Sequence, residues 1–362
     1  MTTPDSLPDE WRVNNFDLVR LLAALQVALV HATVHLKPSG VNAQIVEFGY
    51  RLFPGVPIFF VVSGFLISRS FELSVSIGDY YRNRCLRIFP AMWICLVISA
   101  GAILACGAGA IGTVSTGDWL FWWAAQMSAF QAYSPLFLKP IGVGELNFSL
   151  WTIPIELEFY LLLPGIYSLL RLRERRGNAS LLTVLAASVA IRLACSSGGL
   201  LGNTGISRLV IFTIAPHLWM FLLGVLAQRN WNVIRCWLAD QFHWWFLGYL
   251  LVRAVAARFH IVLGSLEINP ILLMPLAGVV ISGAMSVRAL ADRILRHNDI
   301  SYGTYIYHML VVNLMVQFGA PSGTLSVVAT LVGTLGLAIL SWRFVELPFL
   351  ARKHRSMRTA AT

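Results

Sequence analysis

The sequence predicts an all-α fold: a polytopic membrane helical bundle of about ten transmembrane helices, with both termini in the cytoplasm. Three observations lead there. Of the 362 residues, 57% are hydrophobic and only 12% are charged, and the mean hydropathy is +0.71. A soluble domain of this length could not hide so much apolar surface, so lipid must solvate most of the chain. The apolar stretches are long and continuous rather than short and alternating, which excludes a β-barrel. Finally, lysine and arginine are distributed unevenly between alternate connections.

In chain order the expected spans are 16–36, 52–71, 88–111, 149–170, 179–197, 206–227, 242–257, 268–286, 300–320 and 325–350. Each approaches the ~20 residues that a bilayer crossing needs, the 242–257 stretch being the shortest. With the N-terminus inside, 18 of the 27 Lys and Arg residues fall on the cytoplasmic side and six on the other, while Arg20, Arg192 and Arg343 lie within spans. The net charge of +10 is therefore first an orientation signal, and a nucleic-acid partner is not expected. One membrane domain, 1–362, fills the chain, with short cytoplasmic tails at 1–15 and 351–362. The acidic start "MTTPDSLPDEW" lacks a basic n-region, so the first span is not expected to be a cleaved signal. The external connection 112–148 carries "GDWLFWWAAQMSAFQAY", which suits a helix anchored by aromatics at the membrane interface. Cys85, Cys95, Cys106, Cys195 and Cys236 show no metal or CxxC spacing and read as free thiols; no metal is expected.

Three stretches place polar groups where lipid makes them expensive. In "FDLVRLLAALQVALVHATVHL" (16–36), Arg20 and His31 are eleven residues apart, about 16 Å along a helix and roughly 20° from eclipsed. They share a stripe that His35 extends by a turn, and Asp17 is placed to pair with Arg20. Intramembrane ionisable groups normally face a bundle interior or a wet cavity. In "YYRNRCLRIFPAMW" (80–93), Arg84 and Arg87 share a face at the cytoplasmic mouth of the third span. Arginine suits bidentate phosphate binding, although positive-inside anchoring explains the same residues. Pro90 is expected to open this helix one turn into the membrane. In "SLWTIPIELEFYLLLP" (149–164), Ser149, Glu156 and Tyr160 lie on one helix face while Glu158 points away. A carboxylate near mid-membrane costs ~2.5–3.5 kcal/mol on insertion scales. Glu156 with Tyr160 reads as a lined cavity; an ion pair with an intramembrane arginine such as Arg20 is the structural alternative.

Together these segments resemble the membrane acyltransferase-3 family. The resemblance rests on Arg20, ten residues, then His31; on "VPIFFVVSGFLIS" in the second span; on the Arg84-x-x-Arg87 pair; and on Trp151 shortly before Glu156. "SYGTYIYHML" (301–310) and "FVELPF" (344–349) are similar to its late-span signatures. It runs in order over nearly the whole chain. It implies a bacterial inner-membrane enzyme that moves an acyl group, commonly acetyl, from cytoplasmic acyl-coenzyme A to a hydroxyl. The acceptor would be an exported or surface glycan, a lipid-linked sugar or a secondary metabolite. Acyl-coenzyme A would be a co-substrate, with no permanently bound cofactor.

Carried over by residue, His31 would be the catalytic histidine, Arg20 its partner at the other end of the motif, and Glu156 part of the inner site. Arg84 and Arg87 would serve the donor. Trp151, Tyr160 and His35 are weaker candidates for substrate contact. Where many relatives read Glu-Glu-Gln after the tryptophan, this chain has Glu156-Leu157-Glu158, which leaves open which carboxylate acts. Many relatives also carry a C-terminal hydrolase-like domain; for a stand-alone membrane domain, transfer must finish in the bundle or pass to another protein. The rival class is a multi-span transporter. Pro57, Pro154 and Pro216 would suit its broken helices, but no paired repeat accompanies them.

Overall fold

In a computed structural model, residues 13–38, 41–111, 114–128, 130–131, 133–172, 174, 177–196, 204–259, 269–287 and 289–352 are described. Most of both tails (1–12 and 353–362) and part of the 171–176 arginine run lie outside them. The described residues form helices joined by turns and loops, without a strand, as expected of backbone that must satisfy its own polar groups in lipid.

The helices are α1 (Phe16–Leu36), α2 (Val41–Leu52), α3 (Gly55–Leu73), α4 (Ile77–Ile111), α5 (Thr116–Met127), α6 (Thr152–Leu169), α7 (Gly177–Cys195) and α8 (Gly205–Val210). After them come α9 (Leu218–Arg229), α10 (Trp231–Leu238), α11 (Phe242–Arg258), α12 (Pro270–Met285), α13 (Leu290–Leu295), α14 (Ser301–Gln317) and α15 (Thr324–Ser341). A π-helical turn, Trp342–Glu346, follows α15.

Among the described residues, five helical segments are long and apolar enough to cross a membrane: Phe16–Leu36, Asn42–Leu73, Ile77–Ala102, Gly177–Cys195 and Thr324–Arg352. The other expected spans are realised differently. α6 carries two carboxylates within 18 residues. α11, α12 and α14 have 17, 16 and 17 residues, a rise of only ~25 Å at 1.5 Å per residue. The expected 206–227 span is divided between α8 and α9 by turns at 211–217. Pro90 sits inside the unbroken 35-residue α4, where the expected opening does not occur. Without water to compete for the freed carbonyl, the surrounding backbone bonds hold the helix together.

Contacts divide the chain into two compact units: Met1–Ala23, Gly49–Leu73 and Leu162–Ser301 form one, and Ala24–Phe48, Ser74–Leu161 and Tyr302–Thr362 the other. In the first unit α3 lies directly on α9. A Cβ added to Gly64 would fall 1.9 Å from the Phe221 carbonyl oxygen, and one on Gly224 would fall 2.1 Å from that of Val61. The "SGF" of the second span is thus a backbone-to-backbone contact, the small-residue packing that associates helices in lipid. Glu72 closes the same region, accepting hydrogen bonds from Tyr167 (3.0 Å) and Gln228 (2.8 Å).

In the second unit α1, α14 and α15 share an apolar cluster of Ala32, Leu36, Met309, Val312 and Val327. The 112–148 connection folds onto the end of α4. Trp122 is buried with Ala100, Leu138, Ile141 and Leu146, so this tryptophan is a core residue rather than the expected interfacial anchor. Leu120 and Phe121 hold the exposed apolar positions of α5.

Candidate functional site

The second unit brings together most of the polar side chains that lipid makes costly. His31, on α1, meets His308, on α14: His31 Nδ1 lies 2.9 Å from His308 Nε2. The two rings are nearly parallel, 13° apart, with centroids separated by 5.1 Å. With a nitrogen–nitrogen contact that short, the rings meet edge to edge along one hydrogen bond rather than face to face. His308 is fully buried, and its Nδ1 lies 2.6 Å from the Tyr305 carbonyl oxygen one turn earlier.

Tyr305 ties this helix to the start of α6. Its hydroxyl donates to the Ser149 carbonyl at 2.8 Å and lies 2.6 Å from Thr152 Oγ1. Further along α14, the Asn313 side chain donates to the carbonyls of Glu145 (3.0 Å) and Leu146 (2.9 Å) and accepts from Val143 N–H (2.9 Å). Asn147 donates to the Ile306 carbonyl at 2.7 Å. Residues 142–149, which lead from the connection after α5 toward α6, are therefore stitched along the helix that carries His308.

Along α6, Tyr160 donates a short hydrogen bond to Glu156 one turn earlier, as their shared face predicts. The Arg84 guanidinium stands over the Tyr160 ring, 5.9 Å from its centroid, a cation–π distance. Tyr80 donates to the Tyr160 carbonyl at 3.2 Å and lies within electrostatic reach of Arg84 and Glu156. Arg87 stands 5.9 Å over Trp342. Buried Tyr302 donates to the Ile88 carbonyl at 3.0 Å and feels Glu346, Glu156 and Arg87. The arginines expected at the donor site thus stand among aromatic rings and carboxylates rather than alone.

Arg20, His35, Trp151 and Glu158 complete the expected set. Arg20 belongs to the first unit, where its Nη1 pairs with Asp299 Oδ2 at 2.6 Å. His35 is half-buried near the end of α1, within electrostatic reach of Glu145 and Lys37. Trp151 is half-buried in the 3-10 turn Phe148–Trp151 that leads into α6. Glu158, two residues past Glu156 on α6, is also half-buried. Sequence reasoning missed His308, Asp299, Tyr305, Tyr302 and Glu346. The signal for His308 was present: an imidazole in the apolar run "TYIYHMLVV" is as costly as His31.

The acyltransferase-3 family model, described as an acyltransferase domain, matches residues 13–343. The chain is 30% identical over 349 residues to nodulation protein 10 of Rhizobium leguminosarum bv. viciae, covering 92% of each chain. It is 27% identical over 370 residues to the O-acetyl transferase of Shigella phage Sf6, covering 94% of this chain and 96% of that one. No solved structure matches it. With motifs, helices and family match running over the same residues, the chain belongs to the acyltransferase-3 family and is a membrane O-acyltransferase.

Proposed function

We propose that this protein transfers an acyl group, acetyl in the first place, from cytoplasmic acyl-coenzyme A to a hydroxyl of an exported or surface glycan or a similar acceptor. It does so from a bacterial inner membrane, crossing it about ten times with both termini inside. The observation that carries this reading is His31: an imidazole on the apolar helix α1, on a hydrogen bond to a second imidazole, in a chain of an acyltransferase family. That the related phage protein is named an O-acetyl transferase supports acetyl as the group moved.

The chemistry follows from the groups present. Arg84 and Arg87, near the start of α4, offer charge-assisted hydrogen bonds to the phosphates of coenzyme A. The Tyr160 and Trp342 rings lie within cation–π distance of the two guanidiniums. A neutral His31 takes the proton of the acceptor hydroxyl as its oxygen attacks the thioester carbon. The carbon–sulfur bond breaks, and the thiolate receives the proton. His31 could equally take the acyl group itself and pass it on. Glu156, bonded to Tyr160, lies on α6 beside the Arg84 group.

The test is turnover by the purified full-length protein in nanodiscs. Free coenzyme A should appear from acetyl-coenzyme A when a hydroxylated acceptor is supplied. Exported glycans from cells with and without the protein should differ by acetyl groups. Absence of both would overturn the reading. The transporter alternative predicts no thiol release; the turns at 211–217 that carry Pro216 are the break it would expect in a span.

A further inference from the structure

We infer that His308 is a positioning residue that fixes the tautomer of His31, leaving His31 Nε2 as the unprotonated, reactive nitrogen. The argument is a chain of donors and acceptors. A backbone carbonyl only accepts hydrogen bonds, so His308 Nδ1, 2.6 Å from the Tyr305 oxygen, must carry a proton. His308 is fully buried, and a charged imidazolium there would cost far more than the neutral ring. A neutral ring holds one proton, so His308 Nε2 is bare and can only accept.

Its partner at 2.9 Å is His31 Nδ1, which must therefore donate. That uses the single proton of a neutral His31 and leaves its Nε2 with a free lone pair. The near-parallel, edge-to-edge rings place the bond close to the ring planes, where the lone pair of His308 Nε2 lies. Neutral histidine in water prefers the opposite tautomer, with the proton on Nε2, so the native arrangement has to be imposed. The second ring imposes it in the way an orienting carboxylate does elsewhere. Tyr305, held through its hydroxyl by Ser149 and Thr152, fixes the carbonyl at the head of the chain.

The inference rests on the proposed acyl transfer only for its consequence. Whether His31 acts as base or acyl carrier, the atom that reacts needs a lone pair, and this tautomer puts it on Nε2. In the base route the acceptor O–H proton moves to Nε2 and then to the departing thiolate, so no proton is lost to the pair.

The experiment reads the tautomer directly. Full-length protein with ring-15N histidine in nanodiscs is studied by solid-state NMR, and a His31→Gln sample identifies the His31 signals by their loss. We expect a protonated Nδ1 and an unprotonated Nε2 for His31 in the parent. In His308→Leu, which removes the acceptor, His31 should revert to the Nε2–H form, while His308→Gln, whose amide oxygen can accept from Nδ1, should keep the native form. An Nε2–H tautomer in the parent, or an unchanged tautomer in His308→Leu, overturns the inference. If His308→Leu does not fold, the parent spectrum alone decides. For turnover, His308→Leu should lower kcat by ~10²–10⁴-fold with KM for acetyl-coenzyme A little changed. His308→Gln should recover most of that loss. A parent that holds the expected tautomer but releases no coenzyme A would sink the acyl-transfer reading and leave the histidine geometry standing.

Discussion

Arg20 Nη1 lies 2.6 Å from Asp299 Oδ2. The other oxygen of that carboxylate accepts from the Ser301 hydroxyl (2.5 Å) and from its backbone N–H (3.2 Å). One carboxylate thus closes an ion pair with α1 and satisfies an otherwise orphaned donor at the start of α14. The helix it begins carries His308.

Losing one partner of this pair leaves a partly buried charge uncompensated. Arg20→Met and Asp299→Asn should each destabilise the protein by about 3 kcal/mol or more, as broken buried pairs do. Asp299→Ala should cost about 1 kcal/mol beyond Asp299→Asn, because it also removes the acceptor at the helix start. Thermal unfolding in a single detergent orders the three. Equal stability of Asp299→Ala and the parent would show the pair to be incidental.

His31 is the group on which the proposed chemistry turns. His31→Ala should insert and fold, at a cost of about 1–3 kcal/mol for the buried His308 Nε2 left without its donor. Acyl transfer should fall by ~10²–10⁴-fold, the usual loss of a general base. His35→Ala should be milder, because His35 sits toward Glu145 and Lys37 at the end of the helix. Rates of both purified variants, at matched amounts of folded protein, decide; near-parental transfer by His31→Ala would end the catalytic reading.

Arg84 and Arg87 test the donor site. Lysine keeps the charge and the topology signal but loses the planar fork that stands 5.9 Å from the Tyr160 and Trp342 ring centroids. Each Arg→Lys variant should weaken acyl-coenzyme A binding roughly tenfold or more. Glu156→Gln, which removes the charge bonded to Tyr160, should impair turnover more than Glu158→Gln. Calorimetric titration and initial rates separate the two effects. Parental affinity in both lysine variants would reduce the arginines to anchors.

Gly64 and Gly224 test the packing of the second span. A methyl at either position would overlap backbone oxygen or nitrogen of the facing helix, and backbone cannot rotate aside. Gly64→Ala and Gly224→Ala should each cost about 3 kcal/mol or more, at the upper end of overpacking. The loss should appear as a poor yield of folded protein in mild detergent. Gly165→Ala, where nothing lies within 4 Å of the added carbon, is the matched control.

Membrane orientation follows from the arginine count. A phosphatase fused after Thr362 should be inactive, and one inserted in the 112–148 connection should be active in the periplasm. The reverse pattern would sink the arrangement with both ends inside.

What the sequence by itself determined was whatever local physics dictates. Backbone in lipid must bond to itself, so apolar runs of sufficient length announce helices without any knowledge of their neighbours. The same physics made His31, Arg20 and Glu156 conspicuous, because a polar group in such a run needs a reason. It even paired Glu156 with Tyr160, whose four-residue spacing is a helix contact. Span lengths were less legible: α11, α12 and α14 have only 17, 16 and 17 residues, and hydropathy alone does not mark where a helix ends.

Partners across the chain were decided only by the tertiary structure. His31 meets His308 across 277 positions and Arg20 meets Asp299 across 279, and no periodicity in one segment encodes its contact with another. His308 stood in full view as one more intramembrane imidazole. Its part became readable only when the fold set its Nδ1 against a carbonyl and its Nε2 against His31, because a tautomer is a property of what surrounds a ring.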